Sequence, residues 1–359
     1  MPRKAGLRMS LALSLLAFSA PVAAEVQSPS PSWAADRVDQ RSLPLNASYG
    51  YTTTGQGVQV HILDSGINRA HTDFVIIHDW ENPTWGNGSD LINHGTPVAS
   101  ITAGNVYGVA KGAEIHVHRV IGYPASGNDA RALAEEFDRF TEALYWILWN
   151  HRKPAVVNIS YNSEFEGAGS CEEIHNFDLD IHCAEFRDAV IALIQNGVPV
   201  VVSAGNRGWG VGSYCTNACS GSTCGDWQAS CTCCAFGNLY NLPAMAHRDV
   251  IVVGATTISN QAGMAIDRRV PYTHYDVDIY APGWYVLAAS TGSTTATTYF
   301  SYTSAAAPVV TGVVARYQQV HPAATPTQIK AWLTTTATFG SIANVPYFDQ
   351  HMIYMSPAE

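Results

Sequence analysis

GVQVHILDSG, residues 57–66, sets Val58, Val60, Ile62 and Leu63 ahead of Asp64 and closes on Ser65-Gly66. A short run rich in branched apolar residues and bounded by glycines reads as a strand buried on both faces, and such strands belong to parallel sheets covered by helices. Runs of the same kind recur at 115–120, 155–159, 198–202 and 250–253. They alternate with helical patterns at 131–149, 184–196 and 327–335, the last introduced by Thr325 as N-cap and Pro326 at the first helical position. The alternation predicts an α/β fold: a doubly wound, mostly parallel central sheet with helices on both faces. Ligands of such sheets bind beyond the carboxyl ends of the strands, and Asp64 and Asn206 each lie just after a strand pattern.

The chain has 359 residues and a formal charge of -10, which argues against a nucleic-acid partner. Arg3, Lys4 and Arg8 precede an apolar run at 9–20, and Val22-Ala23-Ala24 is a small-residue cleavage site. Residues 1–24 therefore read as a secretory signal peptide, leaving one domain at 25–359 with its core at about 33–338. No later stretch is apolar enough to cross a membrane, so no membrane association is expected once the signal is removed. The destination is secreted or periplasmic.

Two segments interrupt the pattern, at about 164–183 and 207–241, and they hold all eight cysteines. In an exported chain these predict disulfide-stapled surface insertions, with 105 pairings open. The second cluster lacks the paired C-x2-C spacing of structural zinc, so no metal site is read from the sequence.

Three further stretches carry chemistry: Asp64 in the opening segment, His94 in NHGTPVASITAG, and Ser304 in SYTSAAAPVVTG. A serine hydroxyl is a weak nucleophile that needs a base within hydrogen-bond reach, and the base needs a carboxylate to hold its tautomer. Asp64, His94 and Ser304 supply those types. The Asn206 amide, in SAGN, and the Ser304 backbone N–H at a helix start would stabilise an oxyanion. Pro97 and Pro308 fall within or at the edge of a first helical turn, where a missing N–H costs little. No cofactor is required for this chemistry.

With these motifs in the order Asp, His, Ser, the chain resembles the subtilisin-like serine proteases, most of all the proteinase K branch. SWAADRVDQRSLPLN, VVNIS, VVVSAGN, DVIVVGA and DIYAPG are similar to family motifs in the family order. The resemblance implies a secreted, monomeric endopeptidase that acts on a peptide or protein substrate through an acyl-enzyme. It also implies a primary specificity pocket between Ser160-Tyr161-Asn162 and Ser203-Ala204-Gly205, and a strand at Ser126-Gly127 that pairs with substrate backbone.

The chain also departs from the family. Tyr302, Ala305 and Val309 replace the glycine, methionine and histidine around the nucleophile, Pro97 replaces a second histidine, and Tyr161-Asn162-Ser163 stand where Leu-Gly-Gly is usual. If position 302 needs a glycine-only backbone angle, a side chain there costs about 1–3 kcal/mol. Thr257 stands where the proteinase K branch carries a calcium-binding aspartate, which leaves structural calcium open. About eight residues separate Ala24 from Trp33, too few for the folding prosegment usual in secreted members, so a separate folding factor or inhibitor is one expectation. Two other functions compete on these grounds: a peptide-binding protein with impaired turnover, and an esterase or amidase on the same triad.

Overall fold

A computed structural model of the protein describes residues 24–75, 77–79, 88–121, 130–161, 179–206, 208, 246–274, 277–345 and 350–359. The segment that opened the argument forms β3 (Gln59–Asp64), buried at every position. It lies inside a parallel sheet, between β5 (Glu114–Arg119) and β6 (Ala155–Ile159). Beyond β5 comes the edge strand β4 (Ile77–Asp79). On the other side follow β7 (Val200–Ser203), β8 (Ile251–Gln261) and β10 (Ile279–Pro282), all parallel to one another. Sequence order 4-5-3-6-7-8-10 reverses direction next to β3, as a doubly wound sheet requires. Two short strands, β1 (Glu25–Gln27) and β2 (Tyr49–Tyr51), pair separately.

Side chains alternate across a strand, so β3 sorts the helices. Val60, Ile62 and Asp64 face one side. Asn158, in register with Ile62, bonds there to Thr311 of the long helix α5 (Thr303–Val320), with Thr311 Oγ1 donating to Asn158 Oδ1 at 2.9 Å. Helix α2 (Gly95–Ala103) packs beside α5 on this face. His61 and Leu63 face the other side, where α3 (Ala130–Asn150) and α4 (Leu179–Gln195) pack together and Trp146 lies 5.4 Å from the ring of His118. Helix α6 (Pro326–Thr336) begins with the expected Thr325 cap, completed by Gln328 into a capping box.

The buried strands are less uniformly apolar than their pattern suggested. His61, His116 and His118 occupy interior positions of β3 and β5, with a 3.0 Å contact between His61 Nδ1 and His118 Nε2. Burial, and then the neighbouring histidines, pushes His118 down to about 3 and His61 well below the usual imidazole range. Burial likewise brings His116 to about 4. The three rings are therefore neutral at ordinary pH.

Two boundaries differ from the sequence reading. Helix α4 starts at Leu179, so residues 179–183 of the first expected insertion are helix; the rest of that insertion and nearly all of 207–241, with their cysteines, lie outside the described residues. Strand β8 continues to Gln261 and turns through Ala262-Gly263, both at positive φ, into the antiparallel β9 (Met264–Arg269). Its outer half is partly exposed, so it lacks the apolar run that reveals a buried strand.

The short N-terminal helix α1 (Trp33–Val38) is fixed by a charge pair in the interior: Arg37 Nη2 donates to Asp267 Oδ2 of β9 at 2.7 Å, with the side chains 0% and 2% exposed. Removing one partner strands the other charge in a dry site. Asp267→Ala is expected to cost about 3–5 kcal/mol, measured by guanidinium unfolding in a Ser304→Ala background that prevents self-digestion.

Candidate active site

The carboxyl end of β3 delivers Asp64, fully buried, and the chain then turns through Ser65-Gly66. Gly66 sits at φ +106, and a Cβ on it would lie 2.4 Å from Gly88 O. A Cβ on Gly95, the first residue of α2, would lie 2.2 Å from Gly66 O. The missing Cβ of Gly95 permits this approach of α2 to the turn, and it brings His94, the N-cap of α2, onto Asp64. His94 Nδ1 is 2.7 Å from Asp64 Oδ1, which also accepts from the Ser65 N–H at 2.7 Å.

The start of α2 is held by a residue that the sequence reading missed. Asp90 Oδ1 accepts from the backbone N–H groups of Ile92 and Asn93 at 3.2 and 2.9 Å and from Ser65 Oγ at 2.8 Å, while Oδ2 accepts from Thr96 N–H at 2.9 Å. Ser65 Oγ in turn accepts from Gly95 N–H at 2.8 Å. A carboxylate four residues before the N-cap thus does the capping that His94 cannot do with its own side chain. An acidic residue just ahead of a His-Gly helix start was the available signal.

Burial acts most strongly on His94 and would lower its pKa. The charge of Asp64 and its hydrogen bond, with a smaller contribution from Asp90, oppose burial and leave the imidazole raised above its usual 6.5. The Phe300 ring meets the imidazole edge to face, with centroids 5.0 Å apart.

Ser304 is the second residue of α5, whose N-cap is Tyr302. Ser304 Oγ donates to Ser160 O at 2.9 Å. Pro308 proves to lie inside α5, beyond the first turn expected for it. Lacking an N–H, it leaves the carbonyl of Ser304 without the usual i+4 donor, in a helix otherwise buried among small residues. Asn206, just past β7, accepts through Oδ1 from both Thr303 N–H and Thr303 Oγ1, at 3.0 and 2.7 Å. With the amide oxygen engaged, its NH2 is the end left for the cleft.

His94, Ser160, Tyr161, Asn206 and Ser304 line one cleft of about 410 Å³, together with Ile92, Ile121, Phe300 and Tyr302. Ser203, Ala204 and Gly205 are buried behind that wall, Gly205 N–H donating to Thr303 Oγ1 at 3.2 Å. Asn162, Ser126 and Gly127 lie outside the described residues.

The family model for the subtilase family matches residues 55–351. The chain belongs to the subtilase family. This subtilase is 34% identical over 92% of its length to an extracellular serine proteinase of Thermus sp. (strain Rt41A) and covers 67% of that relative. It is 28% identical to alkaline serine exoprotease A of Vibrio alginolyticus, over 92% of its own length and 51% of the relative's. The chain thus spans about half to two thirds of the length of these curated relatives. The crystal structure of a cold adapted subtilisin-like serine proteinase superposes with a TM-score of 0.66 at 25% identity, covering 90% of this chain and 97% of that one.

At the position where the subtilase pattern has glycine, Tyr302 adopts φ 75 and ψ -168, a region that only glycine populates freely. Its ring, 41% exposed, meets Trp284 edge-on at 5.4 Å and Tyr272 at 6.0 Å. Strain of about 1–3 kcal/mol is thus set against two aromatic contacts of about 0.5–1.5 kcal/mol each. Tyr302→Gly is expected to change stability by less than about 1.5 kcal/mol in the parent. In a Trp284→Ala background, where one contact is already gone, the same change becomes stabilising, as a double-mutant cycle in guanidinium would show.

Proposed function

We propose that this subtilase is an exported serine endopeptidase that hydrolyses peptide bonds through an Asp64-His94-Ser304 triad and an acyl-enzyme. The observation that carries the reading is the 2.7 Å Asp64–His94 contact beside Ser304 on the wall of one cleft. The substrate would add as a strand against Ser126-Gly127, with its primary side chain in a pocket between Ser160-Tyr161-Asn162 and Ser203-Ala204-Gly205. Export is supported by the signal-like residues 1–24 and by the extracellular relative from Thermus.

In the reaction, Ser304 Oγ leaves Ser160 O by turning about χ1 and attacks the scissile carbonyl carbon, passing its proton to His94 Nε2. Asp64 holds Nδ1–H and stabilises the imidazolium. The carbonyl electron pair moves onto oxygen, where Asn206 Nδ2 and the Ser304 N–H donate to it. Collapse breaks the C–N bond as His94 returns the proton to the leaving amine. Water then repeats the cycle on the ester and frees Ser304. The chemistry uses protein groups alone.

Digestion of denatured casein by the purified protein tests the reading. Cleavage is expected to fall about a millionfold in Ser304→Ala, with loss of fluorophosphonate labelling. A folded parent that neither cleaves nor labels would refute it, and cleavage confined to p-nitrophenyl esters would make it an esterase. Asn206→Ala is expected to lower kcat by about 10²–10³ with KM little changed.

His94 must be neutral to accept the proton, so kcat/KM should climb with pH through a value above 6.5. Asp64→Asn removes the opposing charge and leaves burial dominant. The acidic limb should then move below 6.5, and kcat should fall by about 10⁴.

A further inference from the structure

On the face of the sheet opposite Asp64, a row of histidines crosses three strands. His78 of β4 is in register with His116 of β5, which is in register with His61 of β3. The rings of His78 and His116 stack at 4.8 Å, and those of His116 and His61 lie 4.7 Å apart. Glu114, two residues before His116, puts its carboxylate on the same face, with Oε2 3.8 Å from His116 Nε2. One ligand atom from each of His78, Glu114 and His116 lies within 4.8 Å of the others.

Hydrogen bonding leaves this cluster incomplete. His116 Nε2 is buried and neither accepts nor donates a hydrogen bond among the described residues, Glu114 Oε2 standing off at 3.8 Å, and Nε2 of the adjoining His61, which is 1% exposed, likewise makes none. An orphan buried nitrogen is costly, and a neutral imidazole lone pair is a ligand for borderline metal ions. Donors on a tetrahedral ion with bonds near 2.0–2.1 Å stand about 3.3 Å apart. His78, which is exposed, and the flexible Glu114 have the freedom to close that far.

We propose that His78, Glu114 and His116 bind one divalent ion of the Zn²⁺ class, which clamps the edge strand β4 to β5. Two imidazoles and a carboxylate suit Zn²⁺ and leave a fourth position for water. Arg152 Nη2 now holds Glu114 Oε2 at 2.8 Å; its side chain is 71% exposed, so the ion displaces it into solvent. The site uses none of the residues of the triad.

Isothermal titration of chelator-treated Ser304→Ala protein with ZnCl₂ tests this. One saturable equivalent is expected, weakened at least about tenfold in His78→Asn and in Glu114→Gln and tightened in Arg152→Gln, where the competing cation is gone. The melting temperature should rise with Zn²⁺ in the parent and stay level in His78→Asn, an exposed position whose change leaves the fold intact. His182→Asn, which disables the other His-carboxylate group found among the described residues, with Asp138 and Glu185, should bind as the parent does. Undiminished binding in His78→Asn, or no saturable binding at all, overturns the proposal.

Discussion

Asp64 and His94 stand 2.7 Å apart because the turn after β3 and the start of α2 touch backbone to backbone. A methyl group on Gly95 would collide with Gly66 O at 2.2 Å, so a side chain there separates the carboxylate from the imidazole; one on Gly66 would instead strike Gly88 O at 2.4 Å. The rest of the site depends on that contact. Asp90 and Ser65 have no reason to converge on the start of α2 unless α2 is seated there, and burial would lower the imidazole's pKa were Asp64 not against it.

The sheet and two helix starts share the work of positioning. Strand ends bring in Asp64, Ser160 and Asn206, and helix starts bring in His94 and Ser304. Thr303 joins the two kinds of element: its N–H and hydroxyl fix the amide oxygen of Asn206, and its Oγ accepts from Gly205. Side chains held by backbone partners lose little freedom when substrate arrives, which is what preorganised donors need.

Much of this could be read from the residues. Strand 155–159 and the Thr325 cap coincide with their patterns, because burial on both faces and capping write themselves into local composition. The outer half of β8 and all of β9 could not be found that way, since a half-exposed hairpin has no apolar run. Asp90 was missed because its role lies in backbone N–H groups that only the folded turn gathers. The φ of 75 at Tyr302 was foreseeable only through the family's glycine; the aromatic neighbours that hold the ring come from distant positions.

Helix α5, which carries Ser304, is buried across the middle of the sheet and meets β6, β7, β8 and β10, yet it belongs to the last fifth of the chain. Chains emerge and begin to fold from the N-terminus. Asp64 and His94 can therefore meet early, while Ser304 is the last of the three to arrive. On the proposed reading, a molecule lacking α5 has its base but no nucleophile, so cleavage waits until the middle of the sheet is covered.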